Sequence, residues 1–81
     1  MNNIVLRNCL FDLIKTKTSD GWHPGYKIKD ISTSTERNEI AKKLVDLGCL
    51  RPGWTPLGKT SIRGTFDYDM IEQLIQSGNI G

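Results

Sequence analysis

Between residues 3 and 16, apolar side chains recur at Ile4, Val5, Cys9, Leu10, Leu13 and Ile14. Spacings of one, three and four predict an amphipathic helix, with Asn2 or Asn3 placed to cap its start. The pattern dissolves in "KTKTSDGWHPGY", where Gly21, Pro24 and Gly25 predict a loop. "YKIKDIS" reads two ways. Tyr26, Ile28 and Asp30 alternate like a strand, whereas Ile28 and Ile31 are spaced like one helical turn, and a short helix is the expectation taken forward. Thr33 with Glu36 is a capping-box pair, and Ile40, Ala41, Leu44 and Leu47 then share one face before Gly48. A helix over about 34–47 follows. In "SIRGTF" the period changes to two: Ile62 and Phe66 point one way, Arg63 and Thr65 the other. With the turn-rich "PLGK" before it, this predicts a β-hairpin. A last helix is marked by Asp69 and Glu72 as a second capping box, an apolar stripe of Met70, Ile71, Leu74 and Ile75, and Gly78 as its stop.

At 81 residues the chain has room for one domain, spanning 1–81. Its composition, 37% hydrophobic and 25% charged, fits an ordinary globular domain. No apolar run is long enough to span a membrane, and the N-terminus lacks a secretory-signal pattern, so a cytoplasmic protein is expected. Cys9 and Cys49 lie in separate apolar runs with a single histidine in the chain, which points to buried thiols in a reducing compartment rather than a metal site. Charge is segregated. Residues 1–63 hold all eleven lysines and arginines against six acids, a net of +5, while residues 64–81 hold three acids and no base, a net of −3. A mildly basic body is compatible with a nucleic-acid partner.

"GWTPLGKT", residues 53–60, matches the G-x-x-x-x-G-K-[ST] string of a phosphate-binding loop. That loop needs a buried strand before it and a helix starting at its lysine, so that backbone N–H groups cradle the phosphates. Here Pro52 precedes Gly53 and the strand-like "SIRGTF" follows, so the string reads as turn chemistry at a hairpin tip. No nucleotide cofactor is expected. No nucleophile or acid–base pattern accompanies His23, which reads as an incidental loop residue, and no enzyme activity is expected.

"IKDISTSTERNEIAKKLVDLGCL" followed by "SIRGTFDYD" resembles a winged helix-turn-helix domain over nearly the whole chain. The fold class this implies is α+β, mainly α: three N-terminal helices, a β-hairpin wing and a C-terminal helix. The helix over 34–47 takes the place of the family's recognition helix. At about 100° per residue its apolar positions leave Thr35, Asn38 and Lys42 together on the far side. Their hydroxyl, carboxamide and ammonium groups suit phosphate or base-edge contacts in a major groove, although a solvated helix face has the same composition. Lys43 and Arg37 flank that stripe within reach of backbone phosphates; alternatively, Arg37 lays its stem over the apolar face. Lys59 and Arg63 stand on the wing.

The resemblance implies a small DNA-binding regulator, of the kind found as phage or mobile-element repressors and excisionase-like factors. Its partner would be double-stranded DNA, with a homodimer through the first or last helix for half-site recognition. The acids Glu36, Glu39 and Asp46 on the same helix keep a second reading open: an interaction module that carries Trp22 and Trp54 to a protein partner and binds no DNA. The bland alternative for both tryptophans is that they anchor their loops to the core.

Overall fold

The computed structural model describes residues 3–78. Six elements follow in order: α1 (Asn3–Lys15), β1 (Trp22–Lys27), α2 (Ser34–Asp46), β2 (Thr55–Leu57), β3 (Ser61–Thr65) and α3 (Tyr68–Ser77). The fold is α+β, with three helices and one three-stranded antiparallel sheet in the order β1-β3-β2. The first, third and last of the expected helices form where the periodicity placed them. Asn3 begins α1, and Asn2, the other expected cap, lies outside the described residues.

Local chemistry sets the ends of α2. Thr33 Oγ1 accepts from the Glu36 N–H at 3.2 Å, and Glu36 Oε1 accepts from the Thr33 N–H at 3.1 Å. Two otherwise orphaned donors are thus satisfied reciprocally. At the other end Gly48 takes φ +80°, the left-handed value that lets the chain leave the helix. The cap of α3 is Asp67, whose Oδ1 accepts from the Met70 N–H at 3.1 Å; Asp69, expected in that role, lies inside the first turn instead. Gly78 closes α3 in the left-handed region, as its position suggested.

The short helix expected over 26–31 is absent, so two helices rather than three precede the hairpin. Tyr26 and Lys27 end β1, paired with Ile62 and Ser61 of β3, and the Ile28 N–H donates to the Thr60 carbonyl at 2.9 Å. Asp30 then takes φ +65°, which no helix accommodates. A single helical turn has a costly nucleus and offers few hydrogen bonds, whereas pairing with β3 satisfies the backbone at once. The expected loop around 21–25 is therefore mostly strand, with its irregularity confined to a bulge between His23 and Tyr26.

The buried side chains of all three helices and of one face of the sheet join in a single core. Leu6, Leu10 and Leu13 of α1, Leu44 of α2 and Ile71 of α3 are fully or almost fully buried with Ile28 and Ile62. Cys9 and Cys49 are free thiols within this core, and burial pushes both up to about 11. The opposite face of the sheet carries no helix, and Trp22 and Leu57 are exposed on it.

Candidate nucleic-acid interface

The first turns of α2 and the tip of the β2–β3 hairpin are joined by one side chain. Arg37 is only 5% exposed. Its Nη1 donates to the Gly58 carbonyl at 2.9 Å and to the Ser61 carbonyl at 3.3 Å, while Nε donates to Asn38 Oδ1 at 2.7 Å. The two carbonyls bracket Lys59, and the bond from Ile28 to Thr60 holds the same turn from the β1 side. Lys59 is thus presented from a turn fixed against α2. Arg37, expected within reach of backbone phosphates, is buried instead and donates to the protein's own carbonyls, which ties the hairpin tip to α2. A guanidinium suits the task because its planar fork donates in several directions at once.

Thr35, Asn38 and Lys42 are exposed together on the outer side of α2, and Lys43 is half-buried beside them. The bond from Arg37 engages the Asn38 oxygen, and the amide N–H₂ is the donor end of this exposed side chain. Among the described residues the ion pairs are Lys17–Glu72 and Lys29–Asp12, so none is made by Lys42, Lys43 or Lys59. Glu39 and Asp46 interrupt the positive charge where they line a shallow groove with Lys42 and Lys43. Glu36 is held below the usual carboxylate range, chiefly by its hydrogen bond from the Thr33 hydroxyl, and works as a cap.

Arg63 does not join this surface. Its pairing with Thr55 places it on the helix-free face of the sheet, where Nε donates to the Pro24 carbonyl at 2.9 Å. The two tryptophans also separate. Trp54 is half-buried against the core, its Cβ 3.0 Å from where a Cβ on Gly64 would sit, so it is an anchor. Trp22 is 45% exposed on the other side of the sheet. Trp54 packs at Gly64 on the core side and Trp22 pairs with Thr65 on the opposite face, so the two do not form one patch.

"GWTPLGKT" runs from a turn through β2 into the hairpin tip, and β3 rather than a helix starts two residues after Lys59. The backbone cradle of a nucleotide-binding loop is not formed. His23 is more engaged than an incidental loop residue: its ring packs edge-on against Tyr26 and Phe66, and Nε2 lies 3.0 Å from the Tyr68 hydroxyl. That hydroxyl in turn accepts from the Thr18 N–H at 2.8 Å, which ties the α1–β1 connection to α3. Burial lowers the His23 pKa. Among the described residues no cluster of three or more His, Cys, Asp or Glu side chains is placed to hold a metal ion, and no helix is long and apolar enough to cross a membrane.

Comparison of the chain with protein-family models, with curated proteins and with solved structures finds no match.

Proposed function

We propose that the chain is a small duplex-DNA-binding regulator built on a winged-helix-like plan, with α2 entering a major groove and the β2–β3 hairpin gripping the adjacent backbone. The observation that carries this reading is the Arg37 clamp. A buried guanidinium fixes the turn bearing Lys59 to the same helix that exposes Thr35, Asn38 and Lys42. Polar groups on one helix face give base-edge and phosphate contacts, and a pre-positioned lysine nearby adds a phosphate contact with little ordering cost. Arg63 stands outside this interface, and Arg37 acts through Lys59.

A homodimer completes the proposal. On α1, Ile4 is 68% exposed and Phe11 41% exposed, next to a depression of about 210 Å³ lined by Arg7, Phe11, Ile75 and Gly78. A second copy pairing through α1 and α3 would bury these side chains and set two α2 helices for paired half-sites.

The test is fluorescence anisotropy on a labelled mixed-sequence duplex. Lys42→Ala and Lys59→Ala should each weaken binding severalfold while leaving the thermal midpoint unchanged. Parent-like affinity in both variants would overturn the docking. The second reading, a protein-interaction module, draws on the exposure of Trp22 and loses the contribution expected from Trp54.

A further inference from the structure

The helix-free face of the sheet is defined by strand register. Trp22 pairs with Thr65, Thr55 with Arg63, Leu57 with Ser61 and Lys27 with Ser61, and these residues alternate with the buried Tyr26, Ile62 and Phe66. Two large apolar side chains stand on it, Trp22 at 45% and Leu57 at 39% exposure. Leu57 reaches across the central strand, its Cδ2 3.0 Å from where a Cβ on Gly25 would sit, so the glycine keeps the β1 side flat beneath it. The charged residues of this face are Lys27 and Arg63, both basic, with Lys59 at the adjoining tip. Arg63 is held by Nε on the Pro24 carbonyl, which leaves its two Nη groups as an oriented fork for a carboxylate.

We propose that this face docks an extended, acidic protein segment carrying apolar side chains at positions i and i+4 and a carboxylate at i+2. The spacing comes from the register. Leu57 and Trp22 stand opposite Ser61 and Thr65, four residues apart on β3, which is about 13 Å measured along the strand at roughly 3.3 Å per residue; they belong to the two strands flanking β3, and Leu57 leans back across it towards Gly25, which brings the two side chains towards one line. Arg63 is midway between them. In an extended segment, residues i, i+2 and i+4 share one face with the same repeat, so two apolar side chains meet Leu57 and Trp22 while the carboxylate meets Arg63. Docking is across the face rather than by strand addition, because both edges are guarded: β1 by Pro24 and its bulge, β2 by Pro56. Trp and Arg at the centre of a patch are the side chains that dominate binding energies at protein interfaces. A nucleic-acid strand fits less well. The face offers one stacking aromatic rather than a series, and Asp20, Asp67 and Asp69 line the groove next to its Trp22 end, which a continuous phosphate backbone would meet but the apolar residue at that end of the segment does not.

The inference holds whether or not α2 binds DNA. Its test uses the full chain and two fluorescein-labelled peptides of about eight residues. One has leucine, glutamate and leucine at alternate positions, and its counterpart has lysine for glutamate. The glutamate peptide should bind and the lysine peptide should not. Trp22→Ala and Leu57→Ser should each weaken binding about thirtyfold, as truncation of a hot-spot residue does, and Arg63→Gln about tenfold. Lys42→Ala should leave peptide binding unchanged, and Trp22→Ala should leave duplex binding unchanged, so this proposal and the DNA proposal fail separately. Failure of the glutamate peptide to bind, equal binding of both peptides, or parent-like affinity after Trp22→Ala would overturn the proposal. Displacement of the peptide by oligothymidylate would also overturn it and assign the face to single-stranded nucleic acid.

Discussion

Replacing Arg37 with alanine separates a positioning role from a phosphate-binding one. The substitution removes three hydrogen bonds from a charged donor, at 2.7, 2.9 and 3.3 Å, together with the packing of a side chain that is 5% exposed. Bonds to charged groups contribute about 1.5–3 kcal/mol each when fully formed. Gly58 is exposed and Ser61 half-buried, so water recovers part of the loss at their carbonyls. A net destabilisation of roughly 2–3 kcal/mol remains. For a domain of this size that is a fall in thermal midpoint of roughly 10–20 °C. Urea unfolding followed by far-ultraviolet circular dichroism reads the free energy, and a thermal scan reads the midpoint. Arg37→Lys should recover part of the loss, since one ammonium reaches a single carbonyl but cannot fork. In duplex binding, Arg37→Ala should lower affinity by loosening Lys59 while leaving the salt dependence unchanged, because no phosphate contact is lost. A stability change under about 0.5 kcal/mol, or a salt slope reduced by about 0.9, would refute the clamp.

Three further outcomes follow from the packing. Gly21 has φ +83°, and a Cβ there would fall 2.4 Å from the Phe66 carbonyl oxygen, so Gly21→Ala should destabilise by more than about 2 kcal/mol; a thermal midpoint within about 2 °C of the parent would contradict this. Thr33→Ala removes the side-chain half of the capping box and should cost about 1 kcal/mol in urea unfolding, whereas Thr33→Ser should be nearly neutral; equal loss in both would contradict the cap. His23 has its pKa lowered on folding, so below the ordinary value near 6.5 the unfolded chain binds the proton more readily than the folded one. Stability should therefore decline as pH falls through about 6.5 towards the lowered folded value. Asp12, whose charge favours the protonated form, moderates the effect, and His23→Gln should flatten this part of the pH profile.

The elements that the sequence announces are those fixed by neighbours in the chain. The capping box of Thr33 and Glu36, the helical spacing from Ile40 to Leu44 and the stop at Gly48 all act within a turn or two, and α2 forms where they place it. The alternation of Ile62 and Phe66 against Arg63 and Thr65 likewise marks β3. By contrast, β1 has the sequence WHPGYK, with a proline, a glycine and no clean alternation. Its structure comes from pairing with β3, some forty residues away, and from the bulge that absorbs the irregular centre. The candidate interface divides on the same line. Thr35, Asn38 and Lys42 share a face by helical geometry alone, whereas the fate of Arg37 depends on carbonyls more than twenty residues distant. Trp22 and Trp54 look equivalent in their Gly/Pro-rich surroundings. The sheet separates them, one over Gly64 in the core and one into solvent. His23 was legible as a residue but not as a link to Tyr68, whose hydroxyl arrives from α3.

The central claim is that α2 and the hairpin tip together form a phosphate-contacting surface, and the salt dependence of duplex binding tests it most directly. With Lys42, Lys43 and Lys59 each neutralising one phosphate, the logarithm of affinity should fall against the logarithm of salt with a slope of about −2.7 per protomer. Lys59→Ala should reduce that slope by about 0.9. Absence of binding at low salt, or an unchanged slope in Lys59→Ala, would contradict the account.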